Sequence, residues 1–154
     1  MKKLLIICLN FMLLCACTKG YERDTTPGEY VPITYAELQD EINNEQDMFV
    51  IFTQAGCDHC AQYKSDVLNT YLKTHHVIVR EFILSNEENY SQQLFTDIQN
   101  FTVTLTEDVD KQFIGTPYSI VIEDGQLKEG ISGGLTEAKL EEIVTKYQLD
   151  KIKE

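Results

Sequence analysis

Two cysteines, Cys57 and Cys60, lie between a fully apolar run and a helical pattern, and this placement constrains the fold more than any other feature. Residues 48–53 predict a buried strand, and residues 57–73 predict a helix that carries both cysteines. A cysteine at a helix N-terminus faces the positive end of the helix dipole and unpaired N–H groups, which favour the thiolate. The second cysteine lies one turn further along, where it can close a disulfide. The pair therefore predicts a redox site.

The amino-terminal residues have the pattern of a bacterial lipoprotein signal. A basic start is followed by an apolar stretch over residues 4–14, shorter than the roughly 20 residues that span a bilayer. Cys17 is the predicted lipidation site, because bulky Leu14 directly precedes the other candidate, Cys15. An uncleaved helix and a plain cleaved signal are the alternatives.

This interpretation divides the chain into three parts: a signal peptide over residues 1–16, the lipidated Cys17 with a flexible tether over residues 17–31, and a domain over residues 32–154. Cleavage would discard Cys8 and Cys15, and lipid would occupy Cys17. Cys57 and Cys60 would then remain as the free thiols of a protein held on the extracytoplasmic face of a bacterial membrane.

Charge and size limit the function classes. The net charge is −12, and it becomes −14 once Lys2 and Lys3 are removed. Nucleic acids and anionic lipid surfaces are therefore unsuitable partners. The roughly 120 residues after the tether suffice for one domain with its own core.

Hydrophobic periodicity and turn signals predict an α/β domain with a central mixed sheet flanked by helices. The predicted order is a helix over 34–44, strand 48–53, the cysteine-bearing helix 57–73, strand 77–84, a helical insert over 87–100, a short strand or extended loop over 101–106, strands 119–123 and 127–132 joined by a tight turn, and a closing helix from 136.

This order resembles the thioredoxin-fold family. The resemblance rests on the strand–Cys-x-x-Cys–helix unit, on Thr116-Pro117, and on a hairpin ending in Gly133-Gly134 before the last helix. It covers roughly residues 32–149 and implies thiol–disulfide exchange. Among its members the chain is most similar to small extracytoplasmic thioredoxin-like proteins, including bacteriocin-transport accessory factors.

The resemblance assigns roles to individual residues. It implies that Cys57 is the attacking thiolate and Cys60 the resolving thiol. It also implies that Pro117 is a cis proline facing the pair and that Thr116 offers its backbone to an extended substrate. A trans proline that only leads a strand is the alternative.

The two residues between the cysteines are predicted to tune the redox couple. His59 would stabilise the Cys57 thiolate and make the disulfide a stronger oxidant, whereas Asp58 would oppose it. The alternative is that both are solvated residues of the helix start.

Two departures from thioredoxin are visible in the sequence. Gly56 replaces the usual tryptophan before the pair, so an aromatic residue such as Phe52, Tyr63 or Tyr118 is expected to take its place. Ile51 replaces a buried aspartate, so proton transfer at Cys60 is expected to use water or a residue of the insert.

The sequence thus predicts a membrane-tethered thiol–disulfide oxidoreductase that needs no cofactor beyond the Cys57–Cys60 couple. Its expected partners are extracytoplasmic protein or peptide thiols and disulfides, together with a membrane redox donor or acceptor. A non-enzymatic module that binds an exported peptide is the alternative. A metal site is disfavoured, because helical rise places His75 roughly 25 Å from the start of the cysteine-bearing helix.

Overall fold

The computed structural model describes residues 20–152. Five strands form one mixed sheet in the order β1-β3-β2-β4-β5. The three strands β1, β3 and β2 run parallel to one another. Strand β4 pairs antiparallel with β2, and β5 pairs antiparallel with β4. The strands are β1 Glu29–Pro32, β2 Met48–Thr53, β3 Ile78–Ile83, β4 Tyr118–Glu123 and β5 Gln126–Ser132. The predicted mixed sheet is confirmed, and β1 is an addition to it.

Helices cover both faces of the sheet, so two separate apolar cores form. One core packs α1 (Tyr35–Asn43) and α4 (Gln92–Leu105) against the sheet, with Leu38, Val50, Phe52, Phe82, Leu94 and Ile98 among its members. The other packs the cysteine-bearing helix and α5 (Glu137–Tyr147) on the opposite face, with Ile51, Tyr63, Leu68, Val79, Leu140 and Val144. Every residue of β2 is buried, as expected for a central strand covered on both sides.

The cysteine-bearing helix is continuous but not uniform. Its parts are α2 (Asp58–Tyr63), a π-helical turn (Lys64–Leu68) and α3 (Asn69–Tyr71), and together we call them the cysteine helix. The π turn inserts an extra residue into the helical repeat, a distortion that often accompanies functional sites. The remaining α-helices are α1 (Tyr35–Asn43), α4 (Gln92–Leu105) and α5 (Glu137–Tyr147).

The helical insert lies further along the chain than the sequence predicts. Helix α4 begins after Ser91, whose hydroxyl accepts the N–H of Leu94, and runs to Leu105. The prediction of a strand or loop over residues 101–106 is therefore wrong. Thr102 has a low helix propensity, but it is fully buried and accepts the N–H of Phe113, so tertiary packing overrides the local preference.

The predicted flexible tether over residues 17–31 is wrong for its described part. Strand β1 pairs with β3, and Arg23 binds Glu141 of α5 and Asp150 through two salt bridges of 2.6 Å. Arg23 also donates to the Tyr71 hydroxyl at 3.1 Å. We call Arg23 and these three partners the Arg23 clasp. The segment is ordered by these charge pairs, by the pairing of β1 with β3 and by Tyr30, which packs against the core beneath α5. These contacts are with distant parts of the chain, so the sequence of the segment alone resembles a linker.

The predicted signal peptide and the lipidation of Cys17 lie outside the described residues. Within residues 20–152, no helix combines the length and apolar character needed to cross a membrane.

Candidate redox site

Cys57 and Cys60 form a disulfide at the N-terminus of the cysteine helix, with their Cα atoms 5.2 Å apart. Strand β2 ends at Thr53, and the short loop that follows includes Gly56 at φ 73°. A left-handed backbone of this kind suits glycine and few other residues. The loop thus leads the chain from the carboxyl end of the central strand β2 to the first cysteine, at the start of the helix.

Cys57 is the N-cap residue of α2. Its sulfur accepts the backbone N–H of Cys60 at 3.1 Å, and its carbonyl accepts that of Ala61 at 3.1 Å. A sulfur at this position lies in the field of the helix N-terminus, which stabilises negative charge. Cys57 is partly exposed, whereas Cys60 is only 3% exposed. The arrangement gives the pair one accessible sulfur and one shielded sulfur.

Thr116 and Pro117 lie directly against the disulfide. The peptide bond between them is cis, as the resemblance implies, and the Thr116 hydroxyl donates to the Cys57 sulfur at 3.7 Å. An open groove of about 490 Å³ runs past this point, lined by His59, Gln62, Tyr63, Asp66, Val67, Thr116, Pro117 and residues 133–135. A partner approaching Cys57 would meet this groove.

Asp58 and His59 occupy the exposed first turn of α2. Asp58 lies at the positive end of the helix, a stabilising place for a carboxylate. His59 lines the groove beside Pro117. Their effect on the redox couple remains a prediction.

The expected aromatic substitute for tryptophan is found in one of three positions. Phe52 and Tyr118 are fully buried in the core beneath α1 and α4, so neither reaches the groove. The Tyr118 hydroxyl instead donates a hydrogen bond to the Lys111 carbonyl. Tyr63 does line the groove, although it is only 3% exposed, and it packs against Gly134. None of the three expected aromatic residues therefore presents an exposed ring beside Cys57.

An ion pair between a half-buried lysine and a buried glutamate, on the other side of the cysteine helix, was not predicted. Glu81 of β3 is only 7% exposed, and its two carboxylate oxygens accept from Lys64 at 2.7 and 2.8 Å. Thr53 donates to the same carboxylate at 3.0 Å. The signal in the sequence is an acidic residue within the apolar run of residues 77–84, on the same face as Val79.

The histidines after the cysteine helix lie far from the disulfide. His75 stacks on Tyr71 with ring centroids 3.9 Å apart, and the His76 ring meets the Pro27 carbonyl at 3.0 Å. Among residues 20–152, no group of three or more histidine, cysteine or acidic side chains is placed to hold a metal ion. His75 thus packs on the end of the cysteine helix, and His76 contacts the amino-terminal segment.

The comparisons with solved structures give the fold. The chain aligns with a thioredoxin mutant from Halobacterium salinarum at a TM-score of 0.51 and 18% identity, covering 84% of this chain and 97% of that one. It aligns with thioredoxin from Malassezia sympodialis at 0.52 and 13% identity, covering 79% and 93%. It aligns with thioredoxin f from spinach chloroplast at a TM-score of 0.51 and 10% identity, covering 82% of this chain and 98% of that one. The chain has a thioredoxin-like fold.

This thioredoxin-like assignment is structural. No protein-family model matches the sequence, and neither does any curated protein. At such low identity the alignments carry the fold alone, so the function must be argued from the residues around Cys57.

Proposed function

We propose that this protein is a thiol–disulfide oxidoreductase that exchanges disulfides through Cys57 and Cys60. The observation that supports this most directly is the disulfide at the helix N-terminus, with one partly exposed sulfur that accepts hydrogen bonds from the Cys60 N–H and the Thr116 hydroxyl. Both donors stabilise a thiolate on Cys57, which is the species that attacks a disulfide. A structural disulfide would not require this arrangement.

The reaction proceeds in two exchanges. The Cys57 thiolate attacks a partner disulfide, forming a mixed disulfide and releasing one partner thiolate. The Cys60 thiolate then attacks the Cys57 sulfur, closes the intramolecular disulfide and releases the second partner thiolate. Two electrons pass from the dithiol to the partner, and the reverse sequence oxidises a partner dithiol. No cofactor beyond the two sulfurs enters either direction.

Cysteine replacement tests the proposal. Cys60→Ser should accumulate a mixed disulfide on Cys57, detected as a mass increase of intact protein that a reductant reverses. Cys57→Ser should abolish exchange while leaving the fold intact. If the Cys57→Ser/Cys60→Ser protein retains full activity in its host, the non-enzymatic peptide-binding alternative replaces this proposal.

The direction of exchange follows from the reduction potential of the Cys57–Cys60 couple. Equilibration with glutathione buffers would give a value near about −120 mV for an oxidase and near about −270 mV for a reductant. His59→Ala should move the potential downward and Asp58→Ala upward, if each residue tunes the couple as the sequence predicts.

We further propose that the protein is lipidated at Cys17 and acts on extracytoplasmic partners, in the manner of the accessory thioredoxin-like proteins it resembles. Because Tyr21 and Arg23 are both held by Asp150, the four-residue distance from Cys17 to Tyr21 could measure at most about 14 Å. The domain would then lie close to the bilayer rather than on a long tether. Incorporation of labelled palmitate that is lost in Cys17→Ala would support the anchor, and incorporation that persists would exclude this site.

The same geometry would orient the redox site. The amino-terminal segment meets the far end of the cysteine helix, where the His76 N–H donates to the Asp24 carbonyl at 3.0 Å. The helix from Asp58 to Tyr71 is roughly 20 Å long. Cys57 would therefore face away from the membrane, toward exported or surface-exposed partners.

A further inference from the structure

The exchange proposed above requires a proton to leave Cys60. The Cys60 sulfur attacks only as a thiolate, and this thiolate must form after Cys57 has joined the partner in a mixed disulfide. Cys60 is 3% exposed, so bulk water has little access to it. Ile51, at the position where the resemblance led us to expect a buried acid, provides no proton acceptor.

Glu81 supplies a carboxylate next to that position. In the parallel pairing of β2 and β3, Glu81 is the direct partner of Ile51. Its side chain lies on the face covered by the cysteine helix, because Lys64 of that helix binds it directly. The carboxylate therefore belongs to the neighbouring strand but lies on the same face of the sheet as Ile51.

The surroundings of Glu81 hold its carboxylate in place. Lys64 donates to both oxygens and Thr53 to one of them, so a buried negative charge has a cation and a hydroxyl as partners. The Lys64 ammonium lies 4.7 Å from the centroid of the Tyr30 ring on β1. Burial and the Glu81 charge both raise the pKa of Tyr30, which therefore stays neutral beside the ion pair.

One open cavity joins this ion pair to the disulfide. Its volume is about 480 Å³, and its lining includes Cys57, Asp58, Cys60, Lys64 and Glu81. A space of this size, with carboxylate, ammonium and hydroxyl groups along it, accommodates water molecules that transfer a proton. Asp58 is the other acid on the lining, and it is exposed on the first turn of α2.

We propose that Glu81 accepts the Cys60 proton during resolution and that Lys64 is the residue that positions its carboxylate. This inference rests on the proposed function. The proton passes from the Cys60 thiol, through water in the cavity, to the Glu81 carboxylate. The Cys60 thiolate then forms a bond to the Cys57 sulfur, and the bond from that sulfur to the partner breaks. The partner leaves as a thiolate, and Glu81 returns its proton to solvent.

Stopped-flow kinetics with a symmetric nitrobenzoate disulfide separates the two exchanges. The reduced protein releases one coloured thiolate when Cys57 attacks and a second when Cys60 resolves the mixed disulfide. The first phase reports Cys57 and the second reports Cys60. The measurement compares the full chain with Glu81→Gln, which keeps the shape of the side chain, and with Glu88→Gln, which removes the same charge from an exposed position.

We expect Glu81→Gln to slow the second phase by about 100-fold or more near pH 7, the lower end of the usual contribution of a positioned general base, and to leave the first phase within about twofold. The difference in second-phase rate between Glu81→Gln and the unsubstituted protein should decrease as pH rises toward 9, because hydroxide replaces the missing acceptor. Glu88→Gln should change neither phase. Lys64→Gln should retain the second phase, but the rate of that phase should begin to decrease at a higher pH than in the unsubstituted protein.

Three outcomes would overturn the inference. One is an unchanged second phase in Glu81→Gln, and another is equal slowing of both phases, which would indicate a structural role. If Glu81→Gln does not fold, Glu81→Asp replaces it, because aspartate keeps a carboxylate at this position. The third outcome against the inference is then a second phase of Glu81→Asp whose rate no longer depends on pH. Absence of the first phase in the unsubstituted protein would instead refute the proposed oxidoreductase function itself.

Discussion

The Arg23 clasp offers a direct test of what stabilises the two ends of the chain. Arg23→Met keeps the side-chain stem and removes the guanidinium. That group donates at 2.6 Å to Asp150, at 2.6 and 2.9 Å to Glu141, and at 3.1 Å to Tyr71. The substitution should therefore destabilise the fold by leaving these acceptors without a cation.

The cost should come mainly from Asp150. Its side chain is fully buried, and removal of one partner from a buried ion pair typically costs about 3–5 kcal/mol. Two features reduce that figure: Arg23 is itself 28% exposed, and the Tyr21 hydroxyl still donates to Asp150 at 2.5 Å. Glu141 is 42% exposed and regains water, so it adds little. We expect a loss of about 2–3 kcal/mol in the free energy of unfolding.

Urea unfolding followed by far-ultraviolet circular dichroism measures this loss. At this chain length the same loss should lower Tm in thermal unfolding by roughly 4–12 °C. Lys139→Met is the matched control, because its ion pair with Glu142 is exposed and should contribute less than about 0.5 kcal/mol. A loss in Arg23→Met no larger than in this control would refute the reasoning.

The same clasp predicts a pH dependence. Hydrogen bonds from Arg23 lower the pKa of Glu141 to about 2. A folded-state pKa below the unfolded value gives stability that is present above about pH 4.5 and is lost as pH falls toward 2. Solvent screening at this exposed carboxylate limits the contribution to less than about 1 kcal/mol. The difference between the unsubstituted protein and Arg23→Met should therefore narrow between pH 5 and pH 3; a constant difference would contradict this account.

Three further substitutions test separate contacts. Thr116→Val removes the hydroxyl that donates to the Cys57 sulfur and should slow the Cys57 attack phase by roughly threefold to tenfold, measured by stopped flow; an unchanged rate would argue against thiolate stabilisation. Thr34→Ala removes the N-cap of α1 and should cost about 1 kcal/mol in urea unfolding, with no change if helix capping is unimportant there. Gly130→Ala would overlap the Lys111 carbonyl and should cost about 2–3 kcal/mol, whereas a neutral effect would mean that the backbone there yields easily.

Local signals in the sequence were sufficient for the elements that carry the sulfurs. The apolar run of β2 matches Met48–Thr53 residue for residue. The turn at Asp124 and Gly125 gives the hairpin, since both residues adopt positive φ. Each of these patterns is set by residues close together in the chain, so periodicity and turn chemistry are enough to identify them.

Local signals failed where distant segments decide the outcome. Strand β1 has only four residues and ends in a proline, so its sequence gives a weak strand signal, and its pairing with β3 is what orders it. The Arg23 clasp joins residues 118 and 127 positions apart. Glu81 becomes a site residue only because β3 pairs in register with β2, which places it opposite Ile51. Register and long-range charge pairing leave no periodic pattern in the sequence.

The clasp and the redox site lie at opposite ends of one helix, and this separation distinguishes chemical from structural effects. Tyr71, where the clasp attaches, is 14 residues from Cys57, or roughly 20 Å along the cysteine helix. Loss of the clasp should therefore lower the free energy of unfolding without changing either exchange phase under native conditions. If Arg23→Met also slowed resolution by Cys60, general loosening of the helix would explain a slow Glu81→Gln protein equally well. Unchanged phases in Arg23→Met would leave proton transfer as the explanation for any slowing specific to Glu81.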